Sequence, residues 1–180
     1  MKYFFYKEID STQTEVWRRI KNKSIQNGTI IVAEKQTNGI GTHARTWYTD
    51  EENNIAFSMY FSPKCNIDKF KGLTVDIAKI IVETFEKNYK IQMKIKYPND
   101  IYCNEKKVGG ILTQTSIKGE IAIDLVIGIG INTNKRKFND EIVNIATSIK
   151  KEFDITIDNN LIIKQICEQI EKRIGVDLWK

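Results

Sequence analysis

Apolar positions along this chain follow two periods, and the changes between them mark out its elements. Residues 3–9 carry closely spaced aromatics and read as a strand. Thr12-Gln13-Thr14-Glu15 then has the form of a capping box and opens a helix to about residue 23. A short apolar strand spans residues 29–34, followed over 36–46 by a polar, glycine-containing loop that fits neither period. Another strand covers 54–61. Leu73, Ile77, Ile80, Ile81, Val82 and Phe85 recur at roughly helical spacing and predict one long helix over about 68–89.

The second half changes character. Met93, Ile95 and Tyr97 alternate with lysines, as in a half-buried strand that ends at Pro98. Residues 101–103 and 108–114 flank the turn Asn104-Glu105-Lys106 as a hairpin, and Lys118-Gly119 turns into a strand over 120–127. Leu161, Ile163, Ile166, Cys167, Ile170 and Ile174 lie on one face of a last helix. Hairpins dominate the middle, and helices do not alternate strictly with strands. The expectation is an α+β fold, with a central mixed, largely antiparallel sheet flanked by helices. No repeat, linker or low-complexity boundary divides residues 1–180, so one domain is expected.

Composition narrows the classes further. The 180 residues are 41% hydrophobic and 28% charged, ordinary values for a globular protein and unlike a disordered chain. Lysine and arginine exceed acidic residues by 28 − 23 = 5, but the excess is scattered and reads as solvated surface. No apolar run approaches the ~18 residues of a membrane span. Lys7, Glu8 and Asp10 come too early for a signal peptide's apolar region. Cys65, Cys103 and Cys167 are widely spaced and read as reduced thiols of a cytoplasmic protein.

Three glycine-bearing segments carry the candidate chemistry: Gln36-Thr37-Asn38-Gly39-Ile40-Gly41, Lys107-Val108-Gly109-Gly110 and Gly128-Ile129-Gly130-Ile131-Asn132. None is a Walker A loop or a dinucleotide fingerprint. Singly, each reads as turns or bulges. Preceded by Glu8-Ile9-Asp10-Ser11-Thr12-Gln13, and with Lys96-Tyr97-Pro98-Asn99-Asp100-Ile101-Tyr102 between the first two, they form an ordered series. That series resembles the catalytic domain of the biotin protein ligases, over roughly residues 3–132.

The resemblance implies a fold related to class II aminoacyl-tRNA synthetases. It implies activation of biotin by ATP to biotinyl-5′-AMP, and transfer to a lysine of a biotin carboxyl carrier protein. Biotin and ATP would be substrates, with Mg2+ assisting. Joining a carboxylate to a phosphate brings two anions together, so fixed positive charge is needed where they meet. Alone, Lys107 reads as a solvated hairpin lysine; by resemblance it is the catalytic cation, with Asp100 orienting it or helping to hold the metal and Arg45 near the phosphate or ribose. Ser11, Thr12, Gln13 and Gln36 offer polar groups to the ureido ring, and Gly39, Gly41, Gly110 and Gly130 let the ligand approach the backbone. Trp47, Asn99 and Asn132, with Arg45, would face the nucleotide.

Two positions depart from the family pattern. Ile40 and Thr42 stand in the substrate-binding loop where many members carry arginines that clamp the carboxylate and the adenylate. The single histidine, His43, lies in the same loop and is given no catalytic role. The resemblance starts directly at the catalytic domain, so no DNA-binding domain, no DNA and no membrane are expected. A small C-terminal β-domain is expected to be absent, because the chain ends just after its last helix. Monomer and homodimer both remain open. The competing readings are a lipoate or octanoyl protein ligase, a non-catalytic biotin-binding module and, more distantly, a basic nucleic-acid-binding domain.

Overall fold

The computed structural model describes residues 1–49 and 54–175. Twelve elements are used below: β1 (Lys2–Ile9), α1 (Thr12–Lys21), β2 (Thr29–Gln36), β3 (Ile55–Phe61), β4 (Cys65–Asn66), α2 (Leu73–Tyr89), β5 (Lys94–Lys96), β6 (Asp100–Cys103), β7 (Lys106–Lys118), β8 (Ile121–Ile131), α3 (Ile149–Phe153) and α4 (Asn159–Ile170). The strands form one sheet in the order β1-β2-β3-β8-β7-β6-β5, with β4 added to the end of β8. β1 and β2 are parallel, joined over α1, and the other pairings between these strands are antiparallel. The fold is therefore the mixed, largely antiparallel α+β sheet that the hairpin-rich pattern predicts.

Both faces of the sheet centre are covered, which is why β3 reads as an apolar run interrupted only by Ser58 and not as an alternation. On one face Ile55, Phe57, Met59 and Phe61 of β3 join Leu125, Ile127 and Ile129 of β8 against α2 and α4. On the other, Ile31, Tyr60 and Val126 pack under Val16 of α1, with Phe4 and Trp17 at the margin. Successive side chains alternate between faces. Ser58 of β3 and Gly128 and Gly130 of β8 therefore share the face that α1 covers, just beyond the reach of its apolar stripe. A recess opens there.

Several boundaries differ from the sequence-based expectation. The helix predicted over 68–89 is split: a 3-10 turn at Ile67–Phe70 is followed by Gly72 at φ 82°, and only then by α2. Left-handed backbone is cheap for glycine, so the chain can turn there before starting a new helix. The N-cap of α1 is Ser11, whose hydroxyl accepts from Thr14 N at 3.4 Å, and Thr12 is the first helical residue. The capping-box reading is thus corrected: Glu15 pairs with Arg18 and Arg19 further along α1 instead of reaching back. Those partners hold its carboxyl below its usual range although burial opposes this. In α4, Leu161 is 48% exposed and Ile162 takes the buried place beside Ile163, Ile166, Cys167 and Ile170. β8 extends to Ile131, and α3 is too short for its period to be legible. Residues 176–180, on which the expectation about the chain's end rests, lie outside the described residues. All three cysteines are free thiols.

Candidate active site

Two pockets lie side by side on the α1 face and share Gly41, Thr42, Trp47 and Lys107. The first, about 50 Å3, runs between the start of α1 and the floor formed by β3, β7 and β8. The second, about 490 Å3, is bounded by the loop after β2, by Asp100 and Tyr102 of β6, and by the segment following β8. Ser11, Thr12, Gln13, Gln36, Ile40, Asn99, Gly110 and Gly130 line the first pocket. Arg45, Asp100 and Asn132 line the second. Asn99, expected to face a nucleotide, lies among the first pocket's walls, beside Thr42, which lines both pockets. His43 is exposed and lines neither pocket.

The closed end of the first pocket is a hydrogen-bonded cluster. The N–H of Thr12 donates to Gln36 Oε1 at 2.8 Å, and Thr12 Oγ1 lies 3.1 Å from the same oxygen. Thr12 Oγ1 also meets Ser58 Oγ at 2.9 Å, and Ser58 Oγ donates to Gln13 Oε1 at 2.9 Å. Ser58 is fully buried and belongs to no motif recognised in the sequence, yet it joins the helix start to the sheet floor. Its signal was present: it is the one small polar side chain inside the apolar run of β3.

The junction between the pockets is built around one cation. Lys107 Nζ lies 2.7 Å from Asp100 Oδ1, with both side chains between a quarter and a third exposed. The backbone of Lys107 is held from outside the hairpin: its N–H donates to Ile145 O at 2.9 Å, and its carbonyl accepts from Thr147 N at 2.8 Å. That clamp makes the direction of the side chain a property of the fold. A Cβ on Gly110 would come within 3.3 Å of Lys107 Cε and Nζ, so the missing side chain leaves room for the ammonium itself.

Trp47 forms the partition. Its ring lies over Gly130, where a Cβ would be 2.3 Å from Cε2, and its centroid is 6.0 Å from Lys107 Nζ. The indole nitrogen is buried and has no hydrogen-bond partner among the described residues. The loop that delivers Trp47 is closed by two short bonds, Gly41 N to Arg45 O at 2.7 Å and Trp47 N to Gly39 O at 2.8 Å. Arg45 is exposed, so its guanidinium is available at the pocket's rim. Thr42 accepts weakly from Asn99 Nδ2 at 3.4 Å, while Ile40 is 38% exposed.

The far wall of the second pocket escaped sequence reasoning altogether. Phe138, Ile142, Ile145 and Ala146 supply its apolar surface, with Lys135 beside Phe138 at 5.3 Å from the ring. Residues 133–148 show no period, because tertiary contacts and not a regular element hold them. Asn132 anchors this segment through Nδ2 to Thr147 O at 3.0 Å and its carbonyl to Ile149 N at 3.0 Å. No cluster of three or more histidine, cysteine, aspartate or glutamate side chains is placed to hold a metal among the described residues. Asp100 is the carboxylate at the junction, and it faces Lys107.

Chemically, a narrow polar-ended pocket and a wider, partly apolar one meeting at a single ammonium can bring a carboxylate and a phosphate into contact. The model of the biotin/lipoate A/B protein ligase family matches residues 5–132. The chain belongs to this family. The bifunctional ligase/repressor BirA of Bacillus spizizenii is 35% identical over 174 residues, covering 96% of this chain and 54% of that protein. The chain thus spans about half the length of the curated relatives it matches. A biotin protein ligase from Aquifex aeolicus, solved in complex with biotin and ATP, superimposes with a TM-score of 0.82 at 29% identity, covering 98% of this chain and 72% of that one. A biotin acetyl coenzyme A carboxylase synthetase from Helicobacter pylori shares the fold at 23% identity and a TM-score of 0.70, covering 95% of this chain and 74% of that one. The family match ends at Asn132, so the wall at 135–146 lies beyond it. No helix among the described residues is long and apolar enough to cross a membrane.

Proposed function

We propose that this chain carries the catalytic machinery of a biotin protein ligase. The observation that carries the reading is the sharing of Lys107 by two pockets of different chemistry. Biotin occupies the first pocket with its ring at the Thr12–Gln36–Ser58 cluster and its carboxylate at Lys107. ATP occupies the second, with its α-phosphate at the same ammonium. A carboxylate oxygen attacks the α-phosphorus, the bond to the bridging oxygen breaks, and pyrophosphate leaves with that electron pair. Lys107 compensates the charge accumulating between the two anions, while Trp47 separates ring and base sides and keeps water out. In the second half-reaction a carrier lysine amine attacks the acyl carbon, losing its proton as AMP departs. The partner is a biotin carboxyl carrier protein, and the setting is the cytoplasm.

Magnesium is expected with the nucleotide. It is bound mainly through substrate phosphates with one or two carboxylates, so a dedicated cage is not required. Asp100 is the carboxylate suited to meet it, and a bound ion would lower the charge that Lys107 must compensate. Asp100, Lys107 and Arg45 therefore form the proposed catalytic set, with Asn132 and Trp47 on the nucleotide side.

A lipoate ligase is the nearer alternative, since the family includes both. The cluster of hydrogen-bonding side chains at the first pocket's closed end favours biotin, whose ring carries N–H and C=O groups where lipoate carries sulfur. The test is mass spectrometry of a biotin carrier domain and a lipoyl domain after incubation with this protein, ATP, magnesium and either acid. Biotinylation of the carrier alone supports the reading; lipoylation alone overturns it.

The loop makes a second expectation. Ile40 and Thr42 bring no guanidinium to the junction, and charge-assisted bonds of this kind contribute about 1.5–3 kcal/mol each. Thr42 lines both pockets, so Thr42→Arg should slow release of biotinyl-adenylate by about tenfold or more, at 1.4 kcal/mol per decade. Stopped-flow dissociation of preformed adenylate measures this. Equal rates would mean that Arg45 already serves as the clamp.

A further inference from the structure

Four oxygens stand in a row at the closed end of the first pocket: Gln36 Oε1, Thr12 Oγ1, Ser58 Oγ and Gln13 Oε1, with successive contacts of 3.1, 2.9 and 2.9 Å. The outer two are amide carbonyl oxygens, which only accept. The inner two are hydroxyls with one proton each. Three contacts therefore share two protons, and one contact lacks a proton whichever way the hydroxyls turn. The Thr12 N–H also reaches Gln36 Oε1, so both hydroxyl protons can serve the other two contacts, and what the row offers a ligand is spare lone pairs and no free proton.

This count depends on both amides keeping their oxygens inward. Gln36 is held that way by the backbone N–H of Thr12, a group that can only donate. Gln13 is held from farther off. Its Nε2 donates to Gln114 Oε1 at 2.9 Å, and the same oxygen accepts the indole N–H of Trp17 at 2.7 Å. An indole nitrogen only donates, so it keeps the oxygen of Gln114 turned toward both partners. If Gln13 turned over, two carbonyl oxygens would oppose each other. If Gln114 followed, its NH2 would oppose the indole N–H. Neither Trp17 nor Gln114 lines the first pocket; with Gln13 they line a shallow recess beside it.

We propose that Trp17 and Gln114 are specificity-determining positioning residues: acting through Gln13 and Ser58, they hold the closed end of the first pocket as an acceptor site that selects an acid bearing a ring N–H. The inference rests on the ligase reading above and supplies its physical reason for preferring a ureido ring. A ureido N–H finds acceptors there. A dithiolane has no N–H to give and leaves those lone pairs unmet in a closed pocket, which is costly.

The experiment is calorimetry of biotin with native protein, Trp17→Phe, Gln114→Met and Gln114→Glu, with a thermal midpoint recorded for each. Gln114→Met keeps the shape but removes the acceptor, and Trp17→Phe removes the donor; each should weaken biotin by about tenfold, the scale of one hydrogen bond mis-set at a buried site. Gln114→Glu keeps two acceptor lone pairs and should restore affinity to within about threefold of native. A merely structural role would track the thermal midpoint and would not distinguish Glu from Met at this position. If native protein binds biotin and the Met and Phe variants match it, or if Glu weakens binding as much as Met, the positioning role is overturned while the ligase reading stands. If native protein does not bind biotin, the ligase reading falls and this inference falls with it.

Discussion

Replacing Lys107 by alanine should lower biotin-dependent ATP–pyrophosphate exchange by about a hundredfold or more, the scale seen when one preorganised transition-state contact is removed. Two features of the geometry make the effect large. The ammonium is the side-chain cation common to both pockets, so no neighbour on the shared wall can replace it. Its removal also leaves Asp100 facing the junction uncompensated, 2.7 Å from where the charge had been. A bare carboxylate there repels the very phosphate the site must receive. The thermal midpoint should stay nearly constant, because both side chains remain partly exposed and such ion pairs add little to folding. An exchange rate within tenfold of native would return Lys107 to the solvated-surface reading.

Gly130→Ala should reduce adenylate formation by at least tenfold, through shape and not charge. The added Cβ would lie 2.3 Å from Trp47 Cε2 and 2.6 Å from Cζ2, inside a rigid ring and not at the end of a flexible side chain. Trp47 has to move, and it lines both pockets, so the partition between ring and base sides is lost. Inserting one methyl into a packed contact costs about 1–3 kcal/mol. Denaturant unfolding of Gly130→Ala, alone and combined with Trp47→Ala, separates the two consequences. The double variant should regain stability because the clash is gone. It should stay impaired in activity because the partition is gone as well. A fully active Gly130→Ala would show that the ring is not held where catalysis needs it.

How the site could be read in advance depended on how local each residue's job is. Lys107 and Gly110 lie on one strand, three residues apart, a spacing that by simple alternation would put them on opposite faces; the register shift opposite Ile101 and Tyr102 brings them to the same side, and only the pairing with β6 shows it. Trp47 and Gly130 are 83 positions apart by number, and only the packing of the loop onto β8 shows that one is small because the other is large. Ser58 and Gln114 carry no motif. Their roles follow from which residues of β3 and β7 share a face with the start of α1, and face is decided by register. Thr12 looked like a cap because local spacing cannot tell an N-cap from a first helical residue; the fold assigns the cap to Ser11 and frees the Thr12 hydroxyl for the pocket.

By itself the sequence determined the strands with strong period, the hairpin pairing around residues 104–106, the mixed α+β class and the order of the glycine-bearing motifs. These rest on interactions between residues close along the chain, where spacing alone sets which side chains meet. Only the tertiary structure decided where the two pockets touch, which partners each buried hydroxyl meets, and how residues 133–148 come to wall the second pocket. Those depend on contacts between segments far apart in the chain, whose geometry exists only once the sheet has formed and its two faces have been covered.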